Sequence, residues 1–176
     1  MQVIDFSQVK AERLAKYHNL SNFDCDDKDI NDFIKNDAYG YQEKKLAATI
    51  VFIYNEEIIG FCSTAADSIK LSENEEVLHA IDDKPVREFP AVKIARLGRD
   101  KKYAKMDVGS NILKYAIGHI LACSDLIGVR FVTVDSYTHR QDYYDKLGFV
   151  KNTHKTYTER IQNVSMRYDL FNEMKT

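Results

Sequence analysis

The chain has 176 residues, 44% hydrophobic and 11% aromatic, which is enough for one domain with a full core and too few for two. A net charge of -2 excludes a whole-chain electrostatic case for nucleic acid, and seven glycines with two prolines leave no linker-like stretch. No apolar run approaches the ~20 residues of a bilayer span, and "MQVIDFSQVKAERL" lacks the basic-then-apolar layout of a signal peptide, so no membrane association and a cytoplasmic address are expected. "VIDFSQV" reads as a first strand. Ile30, Phe33, Ile34, Ala38 and Tyr41 then share one helical face, which predicts an amphipathic helix over about 27–44. β-rich runs at 48–54 and 57–66 flank "NEE", a hairpin signal. Residues 73–88 are polar and carry Pro85, so they read as a surface excursion with a helical turn near Glu75 to Ile81.

"FPAVKIARLGR" (89–99) is a clear strand, with Pro90 at its start where a missing N–H does least harm. "KKYAKMDVGSNILKYAIG" (101–118) then reads as a turn entering an apolar helix that runs to about 124. "GVRFVTVDSY" (128–137) has the continuous apolar character of a buried parallel strand. "HRQDYYDKLGF" is a short helix closed by Gly148 at the C′ position. "VKNTHKTYT" and "NVSMRYDLF" complete the set as strands. The order is β-α-β-β-β-α-β-α-β-β, an α/β chain forming a single domain over 1–176. The strands flanking the 108–124 helix are expected to be parallel neighbours, since such units cross over right-handed. That crossover puts the helix N-terminus at the C-terminal edge of the sheet, where α/β folds place ligands.

A helix N-terminus presents unpaired N–H groups and a partial positive charge, and so stabilises an anion. Here Lys101, Lys102 and Lys105 lie in or beside the turn, and Gly109 and Ser110 fall in the first helical turn. Gly109 leaves room for a phosphate, while Asp107 reads equally as a plain N-cap. In "DYYDKLGF" (142–149), a Tyr hydroxyl of ordinary pKa about 10 can hand a proton to a departing thiolate of about 8.5. Paired tyrosines on a short helix also serve simple packing.

In this order and separation, the two segments resemble the GNAT superfamily of N-acetyltransferases. "DYYDKLGF" is similar to the family's Phe-Tyr-x-x-x-Gly-Phe signature, with Tyr143 in the aromatic place and Tyr144 in the place of the catalytic acid. "LSNFDCDDKDINDFIKNDA" and "VKIARLGRDKKY" resemble one branch, which includes the acetyltransferase toxins of bacterial toxin–antitoxin pairs and stand-alone members. The resemblance runs from about 18 to 170 and implies a centrally splayed mixed sheet, acetyl-CoA as co-substrate and acetyl transfer to a primary amine. The amine would belong to a small molecule or a protein. The alternatives are the α-amine of aminoacyl-tRNA, as in a toxin, or a degenerate binding module.

By the same resemblance, Tyr144 is the catalytic acid, and Ile94, Ala95, Arg96 and Leu97 offer main-chain groups to the acetyl carbonyl and pantetheine arm. Lys102, Lys105, Met106, Asp107, Val108, Gly109 and Ser110 wrap the pyrophosphate, with Tyr143 beside them. The family's Arg/Gln-x-x-Gly-x-Gly/Ala loop would read Ala104-x-x-Asp107-x-Gly109, so only the last glycine is kept. A carboxylate 4 Å from a phosphate would cost roughly 4 kcal/mol at an effective dielectric of about 20.

Lys93, Arg96, Arg99, Lys101, Lys102 and Lys105 could line a groove for tRNA phosphates, hold those of CoA, or lie in solvent. Asp67 and Asp135 are general-base candidates by position, with a structural role the simpler reading. Cys25, Cys62 and Cys123 are odd in number and widely spaced, and the five histidines are scattered; neither a disulfide framework nor a metal site is expected. Dimers are common in the superfamily, and "QNVSMRYDLF" is a candidate pairing strand.

Overall fold

Short-range side-chain chemistry sets the start of the chain in the computed structural model, which describes residues 4–83, 85–159 and 162–175. The Asp5 carboxylate accepts both the N–H and the hydroxyl of Ser7, at 3.0 and 2.6 Å, and closes a 3₁₀ turn over Phe6–Gln8. This local alternative displaces the strand expected there, and the first strand, β1, is Lys10–Arg13. Val3, where that strand was expected to begin, lies outside the described residues.

The expected helix over 27–44 forms as α1 (Lys28–Asp32), a π turn (Phe33–Asp37) and α2 (Ala38–Glu43). The π turn adds a residue and rotates the following face. Tyr41 is therefore 46% exposed, and Gln42 turns inward instead. The Gln42 amide donates to the Leu14 carbonyl at 2.7 Å, and its oxygen accepts the Thr49 N–H at 3.2 Å.

β2 (Ala48–Tyr54) and β3 (Glu57–Ile69) form an antiparallel hairpin across Asn55 and Glu56, both at positive φ (49° and 65°). That is the turn whose twist matches paired strands. After α3 (Glu73–Leu78) come β4 (Phe89–Arg99), a 3₁₀ turn (Lys101–Tyr103) and α4 (Val108–Ser124). β5 (Phe131–Tyr137), α5 (Gln141–Asp145), β6 (Val150–Lys151), α6 (Lys155–Thr158) and β7 (Asn163–Asp169) follow. "VKNTHKTYT" is thus a strand for two residues only. The His154 ring accepts the Thr156 N–H at 3.2 Å and starts α6 instead.

The sheet order is β1-β2-β3-β4-β5-β7-β6. β4 and β5 pair in parallel, as expected for the strands around α4, over Ala91↔Phe131 to Lys93↔Thr133. The described residues fall into two compact units, Met1–Ala65 with Ile94–Gly118, and Ala66–Lys93 with His119–Thr176. The first is built on Leu14, Phe23, Phe33, Ile34, Val51 and Phe61, the second on Ile69, Leu71, Ile81, Phe89, Ala91 and Phe131. β7 lies between β5 and β6, and β6 pairs with it only at Met166 and Arg167.

Candidate active site

In the first unit, β4 delivers the chain to the entrance of α4. Ile94 is buried, Ala95 and Leu97 are half-buried, and Arg96 is exposed with its guanidinium 5.5 Å from the Phe33 ring centroid. The β5 ladder ends at Lys93. After the 3₁₀ turn, Lys105 and Asp107 both adopt the left-handed region, with φ of 64° and 55°. A backbone that alternates hand in this way curls successive N–H groups into a concavity suited to anions.

The Asp107 carbonyl accepts the N–H of Asn111 at 3.0 Å, so Asp107 is the N-cap of α4 through its main chain. The N–H groups of Val108, Gly109 and Ser110 precede that first helical bond and have no intrahelical partner. The Asp107 side chain is exposed, and among the described residues no hydrogen bond ties its carboxylate to the loop. The arrangement presents main-chain donors of the kind that can hold a diphosphate.

The cations expected nearby divide. Lys101 Nζ lies 2.7 Å from Asp24 and 3.5 Å from Asp26, and Lys102 Nζ lies 3.4 Å from Glu57. The Lys102 N–H is also taken, by Asp100 at 2.9 Å. Met106 is half-buried and Lys105 exposed. Beside Glu57, the Tyr103 phenol is pushed up to about 12, first by burial and then by the carboxylate it donates to at 3.0 Å.

Tyr143 and Tyr144 belong to the second unit, on α5. The Phe149 N–H donates to the Tyr144 carbonyl at 3.1 Å and the Gly148 N–H to the Asp145 carbonyl at 3.1 Å. Gly148 sits at φ 86°, completing the Schellman closure. Tyr144 is 9% exposed, with its ring 5.1 Å from Tyr143 and 5.5 Å from Phe149. Its ring therefore has a packing role.

The general-base candidates are engaged. Asp67 accepts the Thr133 hydroxyl at 2.6 Å, and Asp135 accepts the Lys93 ammonium at 2.6 Å. Burial pushes the Cys62 thiol up to about 12 and raises that of Cys25, which makes both poor nucleophiles. Among the described residues, no three His, Cys, Asp or Glu side chains gather as a metal site, and no helix is long and apolar enough to cross a membrane.

Two features escaped the sequence reading. One is Asp100 at the end of β4. The other is a buried ionic cluster in which Arg167 donates to Glu75 at 2.6 Å, to Asn152 at 2.9 Å and to the His79 ring at 2.9 Å. The Ser-x-x-Glu spacing of Ser72 and Glu75 was the available signal for half of that cluster.

The model of the acetyltransferase (GNAT) domain matches residues 5–170. A tRNA-acetylating toxin of Mycobacterium tuberculosis (strain ATCC 25618 / H37Rv) is 22% identical over 122 residues, covering 69% of this chain and 72% of the toxin. The structure of AtaT complexed with acetyl-methionyl-tRNAfMet matches with a TM-score of 0.81 at 15% identity, over 95% of this chain and 98% of that one. A tyrosine-to-phenylalanine mutant of the AtaT toxin, bound to the C-terminus of the antitoxin AtaR and acetyl-CoA, matches with a TM-score of 0.73 at 15% identity, over 94% of this chain and 95% of that one.

Proposed function

The chain belongs to the GNAT acetyltransferase domain family and is an acetyl-CoA-dependent N-acyltransferase, and on that premise we propose how its residues divide the work. Residues 1–176 act as a single N-acetyltransferase domain, and the matched model spans both compact units. The observation that carries the reading is the pair of left-handed residues, Lys105 and Asp107, ahead of the free N–H groups of Val108, Gly109 and Ser110.

Those main-chain donors bind the diphosphate of CoA. Lys105 and Met106 shape the wall, and Lys102 adds charge that it shares with Glu57. Ile94, Ala95, Arg96 and Leu97, past the end of the β5 ladder, present main-chain groups to the pantetheine arm and the acetyl carbonyl. Such donors act on charge that develops as the amine attacks. Acetyl-CoA supplies an activated acyl group, so the protein contributes orientation and proton management. Tyr144 donates its hydroxyl proton to the sulfur as the C–S bond breaks, and Tyr143 packs against it. On ordinary values that transfer is uphill by about 1.5 pKa units, or about 2 kcal/mol, which is small against the barrier removed. The attacking amine loses its proton to water.

The acceptor we assign is the α-amine of an aminoacyl-tRNA. The toxin relative and the AtaT complex support it, and exposed Arg96 and Lys105 offer cations to a phosphate backbone. A small-molecule or protein amine is the second reading, because Lys93, Lys101 and Lys102 are each paired with a carboxylate. An antitoxin partner belongs with the tRNA reading. A cytoplasmic setting suits three free cysteines.

Labelled acetyl-CoA incubated with charged tRNA tests the assignment. The expected product is RNase-sensitive, acid-precipitable label, and Tyr144→Phe should lower turnover well beyond tenfold while acetyl-CoA binding is kept. Label on polyamines or peptides with none on tRNA would replace the acceptor. Unchanged turnover in Tyr144→Phe would remove Tyr144 from the acid role.

A further inference from the structure

Asp100 ends β4 with 3% of its surface exposed, and its carboxylate has two main-chain partners. Oδ1 accepts the N–H of Lys102 at 2.9 Å, and Oδ2 accepts the N–H of Asp24 at 3.1 Å. The Asp100 N–H donates to the Ile59 carbonyl of β3 at 2.9 Å, and its carbonyl accepts the Tyr103 N–H at 3.0 Å. The Asp100 side chain therefore ties the first turn of the cofactor loop to a segment far upstream, while its main chain joins the neighbouring strand.

The tie to the upstream segment is reinforced. The Lys101 N–H donates to the Asp24 carbonyl at 2.8 Å, and Lys101 Nζ reaches Asp24 Oδ2 at 2.7 Å. Asp24 Oδ1 accepts the Asn31 amide at 2.9 Å and the Asp26 N–H at 3.0 Å. Lys101, Asp26 and Asn31 together hold the Asp24 carboxyl well below the usual carboxylate range. Across the turn, Glu57 accepts the Tyr103 hydroxyl at 3.0 Å.

Left-handed conformations at residues such as Lys105 and Asp107 are strained, and they persist only where their surroundings over-determine them. An exposed ion pair alone holds a backbone only weakly. A buried carboxylate that accepts two N–H groups fixes the backbone itself. We infer that Asp100, braced by Asp24 and Lys101, is a positioning residue that holds the strained turn from Lys102 to Asp107 in the orientation phosphate oxygens require. The inference rests on the reading of this loop as the CoA cradle.

Asp100→Asn keeps the volume but points an NH₂ at one of the two N–H groups. Hydrogen exchange of the Lys102–Asp107 amides, read without ligand, should quicken about tenfold in Asp100→Asn. The acetyl-CoA Kd should weaken about tenfold while kcat at saturation stays within about twofold. Lys101→Met should weaken Kd by about two- to threefold, and Lys101→Arg should restore it. Unaltered exchange in Asp100→Asn overturns the brace, as does an equal fall in kcat and melting temperature with no change in Kd. A wild-type chain that binds no acetyl-CoA defeats the cradle reading instead, and the exchange measurement still judges the brace.

Discussion

Asp107 shows how a residue can lose a family's preferred identity and keep its backbone. The family loop carries a glycine at this position, where positive φ costs glycine nothing. Aspartate is among the few other residues that enter the left-handed region routinely, and here it does so at φ 55°. Its carboxylate is exposed, so the full penalty of a charge in contact with a phosphate does not apply. Asp107→Gly should nonetheless tighten acetyl-CoA binding several-fold, by removing both the strain and the like charge. Calorimetry checks this, and weaker binding in the variant would show the carboxylate to be part of the site. Gly109 and the tyrosine pair stand out in the sequence as candidates because their residue types are unusual at those spacings. The turn at Lys105 was not, because lysine has no preference for positive φ, and the buried acceptor at Asp100 looked like one more charge in a basic stretch.

At the scale of elements, β2, β3, β4, α4 and β5 were readable because their apolar periods are long and bounded by turn residues. The errors fell where a polar side chain competes for the backbone, as Asp5 does before β1 and His154 does after β6. In the first unit, close approach of β3, β4 and α4 depends on absent side chains. A Cβ on Gly60 would collide with Ile112 Cδ1 and stand 2.8 Å from the Gly98 carbonyl oxygen. Gly60→Ala should therefore cost about 1–3 kcal/mol in a urea titration, and a neutral result would mean that these strands can separate freely. In the second unit, α3 is fastened by a buried pair rather than by an apolar stripe, which is why 73–88 looked like a bare excursion. Glu75 and Arg167 have side chains 6% and 2% exposed. Burial alone would raise the Glu75 carboxyl, but the N–H groups of Ser72 and Thr153 and the Arg167 guanidinium outweigh it and hold it below its ordinary value. Asp169 is likewise held down, with donors from His79, Arg130 and Phe171 prevailing over burial. Carboxyls depressed in the folded state stabilise it fully above their unfolded pKa near 4, and that contribution is lost as pH falls below it. The urea midpoint should hold from pH 8 to about 5 and drop below about 4. Glu75→Gln should lower the midpoint at neutral pH and flatten the acid limb, and an unchanged acid limb would place the sensitivity elsewhere.

The whole molecule is an acetyltransferase of the GNAT family whose loop departs from the family pattern at two of three motif positions. Binding of acetyl-CoA to the folded chain alone should raise its stability, by about 2.7 kcal/mol at one hundred times Kd. The sequence says least about the acceptor, because acceptor recognition depends on how cations are paired, and the acidic partners of Lys93, Lys101 and Lys102 come from distant parts of the chain. The claim on which the rest stands is that the main-chain amides of Val108, Gly109 and Ser110, behind the left-handed turn at Lys105 and Asp107, hold the CoA diphosphate. Calorimetric titration of the wild-type chain, Tyr144→Phe and Gly109→Val with acetyl-CoA tests it most directly. Micromolar binding by the first two, lost at least about tenfold in Gly109→Val without loss of folding, is the expected result. No heat at millimolar acetyl-CoA, or equal affinity in Gly109→Val, would contradict it.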